Sequence, residues 1–420
     1  MIRIINTENS LTRQVVVVVF ISMALSSFCL EDSSPRLISD NTFENFTEIV
    51  TKEGYKAEQH TVITRDGYII TFFRMYNETF KERNCTPVFV FHGVQMSCDS
   101  FLDLGKASLL YTLANAGYDV WAGNARGNYY ARHHVTLNPD YDREFWNFTT
   151  DEIGGYDVPA QLDHVLLITG HSKVSIIAFS QGAECVCITL CELPEYNKKV
   201  AIYFALAPTV RLLHSTSLFF RLLVEGLVGV DVLAPKFKTF VGEILPRGGS
   251  VQSLLELVCG LRGTLGVPQE ACGDFIYLLD SYHPGSMTPD IIKRLYIHFP
   301  GGTSFKLFIK FGQSTLSLYF QKFDYGEDNI KIYGTEYPPQ YIIPNLNCYI
   351  VVFHGPNDNI LNKTDLLWFT NQLPNLVEYI VVNSTLFNHF DHMYGKDTPD
   401  LVFPTILRYL SNYSECYGKG

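Results

Sequence analysis

The chain has 420 residues, 47% of them hydrophobic and 14% aromatic, with a formal net charge of -11. That composition supports a large buried core and excludes a disordered or low-complexity protein. An acidic balance with no long basic run argues against nucleic acid as a partner.

At the N-terminus, Arg3 and Arg13 precede the apolar run VVVVVFISMALSSFCL at 15–30. Small residues lie near Ala24-Leu25-Ser26, and the polar segment EDSSPR follows. This order is that of a secretory signal peptide, assigned to residues 1–29. The alternative is a retained signal-anchor, but the run is shorter than the roughly 20 apolar residues of a spanning helix, which favours cleavage. Seven Asn-x-Ser/Thr sequons fit export and are glycosylation candidates: Asn45, Asn77, Asn84, Asn147, Asn362, Asn383 and Asn412. Asn147 lies inside the aromatic stretch FWNFTT and is the least expected to carry sugar.

Next along the chain, HTVITRDGYIITFFRM (60–75) alternates around Asp66-Gly67 and predicts a hairpin. Short apolar strands then recur with helical material between them: PVFVFHG (87–93), YDVWAG (118–123), VSIIAF (174–179) and VAIYFALAP (200–208). CYIVVFHG (348–355) and VEYIVVN (377–383) follow, before a closing helix near 401–410. This rhythm predicts an α/β protein with a mostly parallel sheet covered by helices on both faces.

Between Thr209 and about Leu318 the rhythm stops. The segment SLFFRLLVEGLVGVDVL (217–233) carries Arg221, Glu225 and Asp231, so a membrane span is a poor reading. A helical insertion packed on the sheet, a possible cap over a site, is expected instead. It divides the chain into a first core part (30–208), the insertion (209–318) and a second core part (319–420). Of ten cysteines, Cys29 lies beside the leader, and Cys259 and Cys272 bracket a Gly-containing segment and form the disulfide candidate. Cys185, Cys187 and Cys191 lack the matched Cys/His halves of a zinc site and read as buried small apolar residues.

The stretch GHSKVSIIAFSQGAE (170–184) offers two serines in a nucleophile-like setting. A nucleophile elbow needs a buried strand before the serine, a helix after it and a glycine two residues on. Ser172 precedes the strand VSIIAF and has Val174 at the glycine position. Ser180 ends that strand, is followed by Gln181-Gly182 and opens a helix-compatible run, so Ser180 is the candidate. Partners follow in the order acid, then base. Asp358 comes just beyond the strand CYIVVFHG, and His389 stands in the loop before the last helix. Asp391 and His392 are their competitors. His92-Gly93-Val94 after the strand PVFVF suggests one oxyanion donor, the Val94 N–H, and the Gln181 N–H suggests the other.

Long ordered strings carry a resemblance that spans about Thr51 to Tyr409. They include GYKAEQHTVITRDGYIITFFRM, FHGVQMSCDSF, LANAGYDVWAGNARGNYYARHH, YIHFPGGTS, HGPNDNIL and FNHFDHMYGKD. In these the chain resembles the acid lipase family of α/β-hydrolases, which includes lysosomal acid lipase, gastric lipases and insect relatives. The resemblance implies Ser180 as nucleophile, Asp358 as acid, His389 as base, and Val94 and Gln181 as oxyanion donors. It further implies that the 209–318 insertion is a cap over the active site and that Cys259/Cys272 is its disulfide. The expected activity is hydrolysis of neutral-lipid esters, at a lipid-droplet or membrane surface transiently contacted, with no metal or organic cofactor. Where the family usually reads GHSQGT this chain reads AFSQGA, with Ala178, Phe179 and Ala183, and Val94 stands where Leu is usual. Those departures leave two rivals, an esterase or acyltransferase for other acyl esters and a non-catalytic lipid-binding relative.

Overall fold

The computed structural model describes residues 44–80, 84–233, 242–259 and 269–417. The leader at 1–29, with Cys29, lies outside them. β1 (Lys56–Ile63) and β2 (Tyr68–Tyr76) form the expected hairpin. Gly67 supplies the positive φ of +96° that its turn requires. The remaining sheet strands are β3 (Val88–Phe91), β4 (Val120–Gly123), β5 (Val174–Phe179), β6 (Val200–Leu206), β7 (Ile350–His354) and β8 (Leu376–Val381).

Their order is β1-β2-β4-β3-β5-β6-β7-β8, with a short pairing of His133–His134 onto β2. The β1/β2 and β2/β4 pairs are antiparallel and all later pairs are parallel. Every residue of β3 to β7 is buried, which is why these strands read as unbroken apolar runs rather than alternating ones. β3 and β5 are neighbours at the point where strand order reverses. Segments leaving their C-terminal ends therefore emerge side by side, in the position where open α/β sheets carry their sites.

Helices α1 (Val158–Thr169) and α2 (Gln181–Glu192) flank β5 in sequence. Cys185, Cys187 and Cys191 are buried along α2, and no group of metal-ligating side chains occurs among the described residues. Between β6 and β7 lie α3 (Leu218–Leu233), α4 (Ser250–Cys259), α5 (Gln269–Leu279), α6 (Pro289–His298) and α7 (Phe305–Leu316). This stretch also holds a small antiparallel pairing of Glu243–Ile244 with Thr303–Ser304. Two-residue strands are too short to show an alternation in sequence, so nothing announced it. No helix among the described residues is long and apolar enough to cross a membrane. The C-terminal part adds α8 (Lys363–Thr370) and α9 (Phe403–Tyr413). Cys259 is bonded to Cys272, and Cys85 to Cys416 across 331 residues.

Glu184, on the first turn of α2, is buried and accepts hydrogen bonds from Thr150 at 2.8 Å and Thr209 at 3.2 Å. Burial outweighs these contacts and the attraction of Lys310, and pushes its carboxyl up to about 7. Because the folded value lies above the ordinary one, this group's contribution to stability is full in acid. It declines as pH rises above 4.5 and is lost once pH passes about 7. Thermal unfolding across that window should show a falling Tm in the native chain. A Glu184→Gln variant should show a smaller fall; an unchanged slope would contradict the assignment.

Candidate active site

Ser180 follows the last residue of β5 and precedes the first of α2, with φ 53° and ψ -121°. A non-glycine residue at positive φ is strained, and here the turn is held from both sides. Ser180 N–H donates to Leu206 O at 2.9 Å, and Glu184 N–H donates to Ser180 O at 3.0 Å. Glycine at 182 is a steric requirement: a Cβ there would lie 2.3 Å from His92 O and 2.8 Å from Phe91 O. The start of α2 thus touches the backbone that leaves β3. The turn brings the Gln181 N–H to the first position of a helix, where N–H groups have no partner within the helix and favour negative charge.

The loop after β3 is fixed by His92. Its Nδ1 lies 2.8 Å from Gly93 O, and its Nε2 accepts N–H groups from Ala125 and Asn128, both at 3.1 Å. Two donors on Nε2 set the tautomer with the proton on Nδ1. Burial lowers this imidazole to about 4, so it stays neutral in mild acid. Gln95, at φ 59°, then ties the loop to the insertion. Its side chain donates to Ile244 O and accepts from Gly302 N–H, both at 3.0 Å, and its carbonyl accepts from Gly301 N–H at 2.6 Å. Val94 sits between these two anchors and is partly buried. Only the histidine-glycine pair hinted at this loop in sequence; the roles of the His92 ring and Gln95 depend on partners distant in the chain.

Asp358 and His389 come from the segments after β7 and β8. His389 Nδ1 is 2.7 Å from Asp358 Oδ2, and His389 Nε2 is 2.8 Å from Ser180 Oγ. The other Asp358 oxygen accepts Leu361 N–H at 2.7 Å. Exposures of 5%, 6% and 2% for Ser180, Asp358 and His389 place all three out of bulk water. The arrangement can deprotonate a serine hydroxyl and hold the resulting imidazolium beside a carboxylate.

Neither competitor hydrogen-bonds to Ser180 or to the His389 ring. Asp391 accepts from His283 Nδ1 at 2.6 Å, from the Asn388 N–H at 2.8 Å and from the Ser286 hydroxyl. Neither ring nitrogen of His392 has a hydrogen-bond partner among the described residues, and burial holds that imidazole well below its ordinary range. Ser172 sits in an exposed bend before β5. Phe179 is buried, its ring 5.1 Å from that of His389 and 6.2 Å from that of His392, so it forms an apolar wall beside the base. A cavity of about 340 Å³ is lined by Asp358, Thr216, His354, Asn359 and Lys363 among others. Ser180 does not line it, so it is not the space in which an acyl group would meet the hydroxyl.

Fold and site together define a serine ester hydrolase on the α/β-hydrolase fold. Residues 46–105 match the family described as a partial alpha/beta-hydrolase lipase region, and residues 86–230 match the alpha/beta hydrolase fold. The human protein named lysosomal acid lipase/cholesteryl ester hydrolase is 30% identical, over 90% of this chain and 93% of its own. Gastric triacylglycerol lipase of Bos taurus is also 30% identical, over 93% and 97%. Lipase 3 of Drosophila melanogaster is 31% identical, over 87% and 92%. A solved structure from Sulfolobus solfataricus shares the fold at 13% identity, with a TM-score of 0.56, covering 90% of this chain and 99% of that one. The chain belongs to the acid lipase family.

Among the glycosylation candidates, Asn45, Asn84, Asn383 and Asn412 are exposed. Asn147 donates to Glu144 at 2.9 Å and accepts from Lys306 Nζ at 2.8 Å, contacts that a glycan on its amide would disturb.

Gly182→Ala tests how the elbow is packed. The added methyl must push away the His92 carbonyl, so stability should fall by about 1–3 kcal/mol. With the loop after β3 displaced from beside Ser180, kcat/KM on an ester should fall about 100-fold. Wild-type turnover in a folded Gly182→Ala protein would contradict this packing.

Proposed function

We propose that the chain hydrolyses carboxyl esters of neutral lipids, with Ser180 as nucleophile, His389 as general base and acid, and Asp358 as the group that orients His389. The observation that carries this reading is the 2.8 Å contact between His389 Nε2 and Ser180 Oγ, with Asp358 on Nδ1 at 2.7 Å. Ser180 Oγ attacks the acyl carbonyl carbon while its proton passes to His389 Nε2. The Gln181 and Val94 N–H groups hold the oxyanion. As the intermediate collapses, the alcohol leaves with the proton from His389, and the acyl group stays on Ser180. Water then attacks the acyl-enzyme, His389 takes its proton, and the fatty acid departs as the proton returns to Ser180. The scheme calls on no metal or organic cofactor.

The substrate class follows from the relatives, which are named for triacylglycerol and for cholesteryl ester. The partner is the ester at a lipid surface. With Ser180 almost wholly covered, residues 209–318 act as a cap that must open for such a substrate, while 30–208 and 319–420 form the catalytic core. The chain is exported through the leader at 1–29 to a secreted or lysosomal location. The sequons support this, as do the two disulfides, which belong in an oxidising compartment.

Fatty-acid release from emulsified long-chain triacylglycerol, emulsified sterol ester and short soluble esters, measured from acidic to neutral pH, tests the reading. Long-chain emulsions should be cleaved, and Ser180→Ala should lose about a thousandfold or more in kcat. Turnover confined to short soluble esters, or undiminished in Ser180→Ala, would contradict it.

A further inference from the structure

Asp280, the residue that follows α5 in the insertion, belongs to no step of the scheme above, yet its carboxylate touches both halves of the triad's support. Oδ2 accepts the backbone N–H of His389 at 2.7 Å. Oδ1 accepts the backbone N–H of Asn359, the residue after Asp358, at 2.8 Å. Asp280 itself is 5% exposed. The next residues extend the attachment. The Ser281 hydroxyl donates to Asn357 O, Ser281 O accepts from Asn388 Nδ2 at 2.8 Å, and Tyr282 O accepts from Asn357 Nδ2 at 3.3 Å.

The choice of side chain is informative. Receiving two N–H groups on two separate oxygens, with no donor in the way, is something an ionised carboxylate does and an amide does not, because Asn offers one acceptor oxygen. The carboxylate is also an unfavourable group to bury here. Burial, with the like charges of Asp358 and Asp391 added to it, pushes its carboxyl well above the ordinary range. A loop that only needed to be seated could use a neutral side chain at lower cost. Around His389 the other ionisable neighbours are Asp358 on Nδ1 and the imidazoles of His392 and His354. Asp391 is engaged by His283.

We propose that Asp280 is a positioning residue for ester hydrolysis: its two oxygens fix the spacing of the acid-bearing and base-bearing loops. The inference rests on the reading of Ser180, His389 and Asp358 given above. Loss of Asp280 leaves the base less well aligned with Ser180, which lowers kcat without touching ester binding.

The experiment is kcat and KM for a soluble acyl ester, from acidic to neutral pH, on the full native chain and on Asp280→Asn, Asp280→Glu and Ser180→Ala. Asp280→Asn should lose about 100-fold in kcat at unchanged KM. Asp280→Glu, which keeps both acceptors, should have an intermediate kcat at unchanged KM. Folded Asp280→Asn with wild-type kcat, or with its loss carried in KM instead of kcat, would overturn the proposal. If Asp280→Asn does not fold, Asp280→Glu decides: a lower kcat at wild-type KM supports the positioning role, and wild-type kcat overturns it. Native chain no more active than Ser180→Ala takes down the functional reading and the proposal together, a result distinct from an active enzyme indifferent to Asp280.

Discussion

The structure depends on one strained residue. Ser180 is held at φ 53° where a buried strand turns directly into a helix, and the neighbouring elements are arranged to tolerate and maintain that turn. β6 supplies the acceptor for its N–H through Leu206. The absence of a side chain at Gly182 lets α2 lie against the carbonyls of Phe91 and His92, and so brings the loop after β3 beside the serine. Relaxing the turn would withdraw the hydroxyl from His389 and move the start of α2 away from the loop after β3. Strain and site geometry are one feature.

The second requirement is that loops far apart in the chain meet the serine within hydrogen-bonding distance. Parallel β5, β6, β7 and β8 deliver their C-terminal ends to the same edge, but strand ends alone do not set a 2.7 or 2.8 Å contact. The insertion supplies the finer constraint. Gln95 reaches Ile244 and Gly302, Asp280 reaches His389 and Asn359, and His283 reaches Asp391. His298 pairs with Asp103 in the same way, at 2.7 Å and buried, and that carboxylate raises its imidazole above the ordinary range despite burial. An insertion fastened by contacts of this kind is part of the site's framework.

Much of this was legible in the sequence, for identifiable reasons. Strands buried on both faces announce themselves as short apolar runs, and a nucleophile elbow has a local spacing, so Ser180 could be told from Ser172 by which end of VSIIAF each occupies. Asp358 and His389 followed from their order and their places after strands. What was not legible depends on distance along the chain. Cys85 and Cys416 are 331 residues apart and nothing local pairs them. Asp280 acts on backbone N–H groups, which carry no side-chain signature. Phe179 looked like a departure at the elbow, and only its packing on His389 gives it a place.

The account stands on Ser180 being an activated nucleophile, and covalent labelling tests that most directly. The native chain, Ser180→Ala and Ser172→Ala would be exposed to a fluorophosphonate from acidic to neutral pH, and the adduct located by peptide mass mapping. The predicted result is one adduct on Ser180, retained in Ser172→Ala and lost in Ser180→Ala. Folded protein that takes no label at any pH, or takes it on Ser172, would contradict the account.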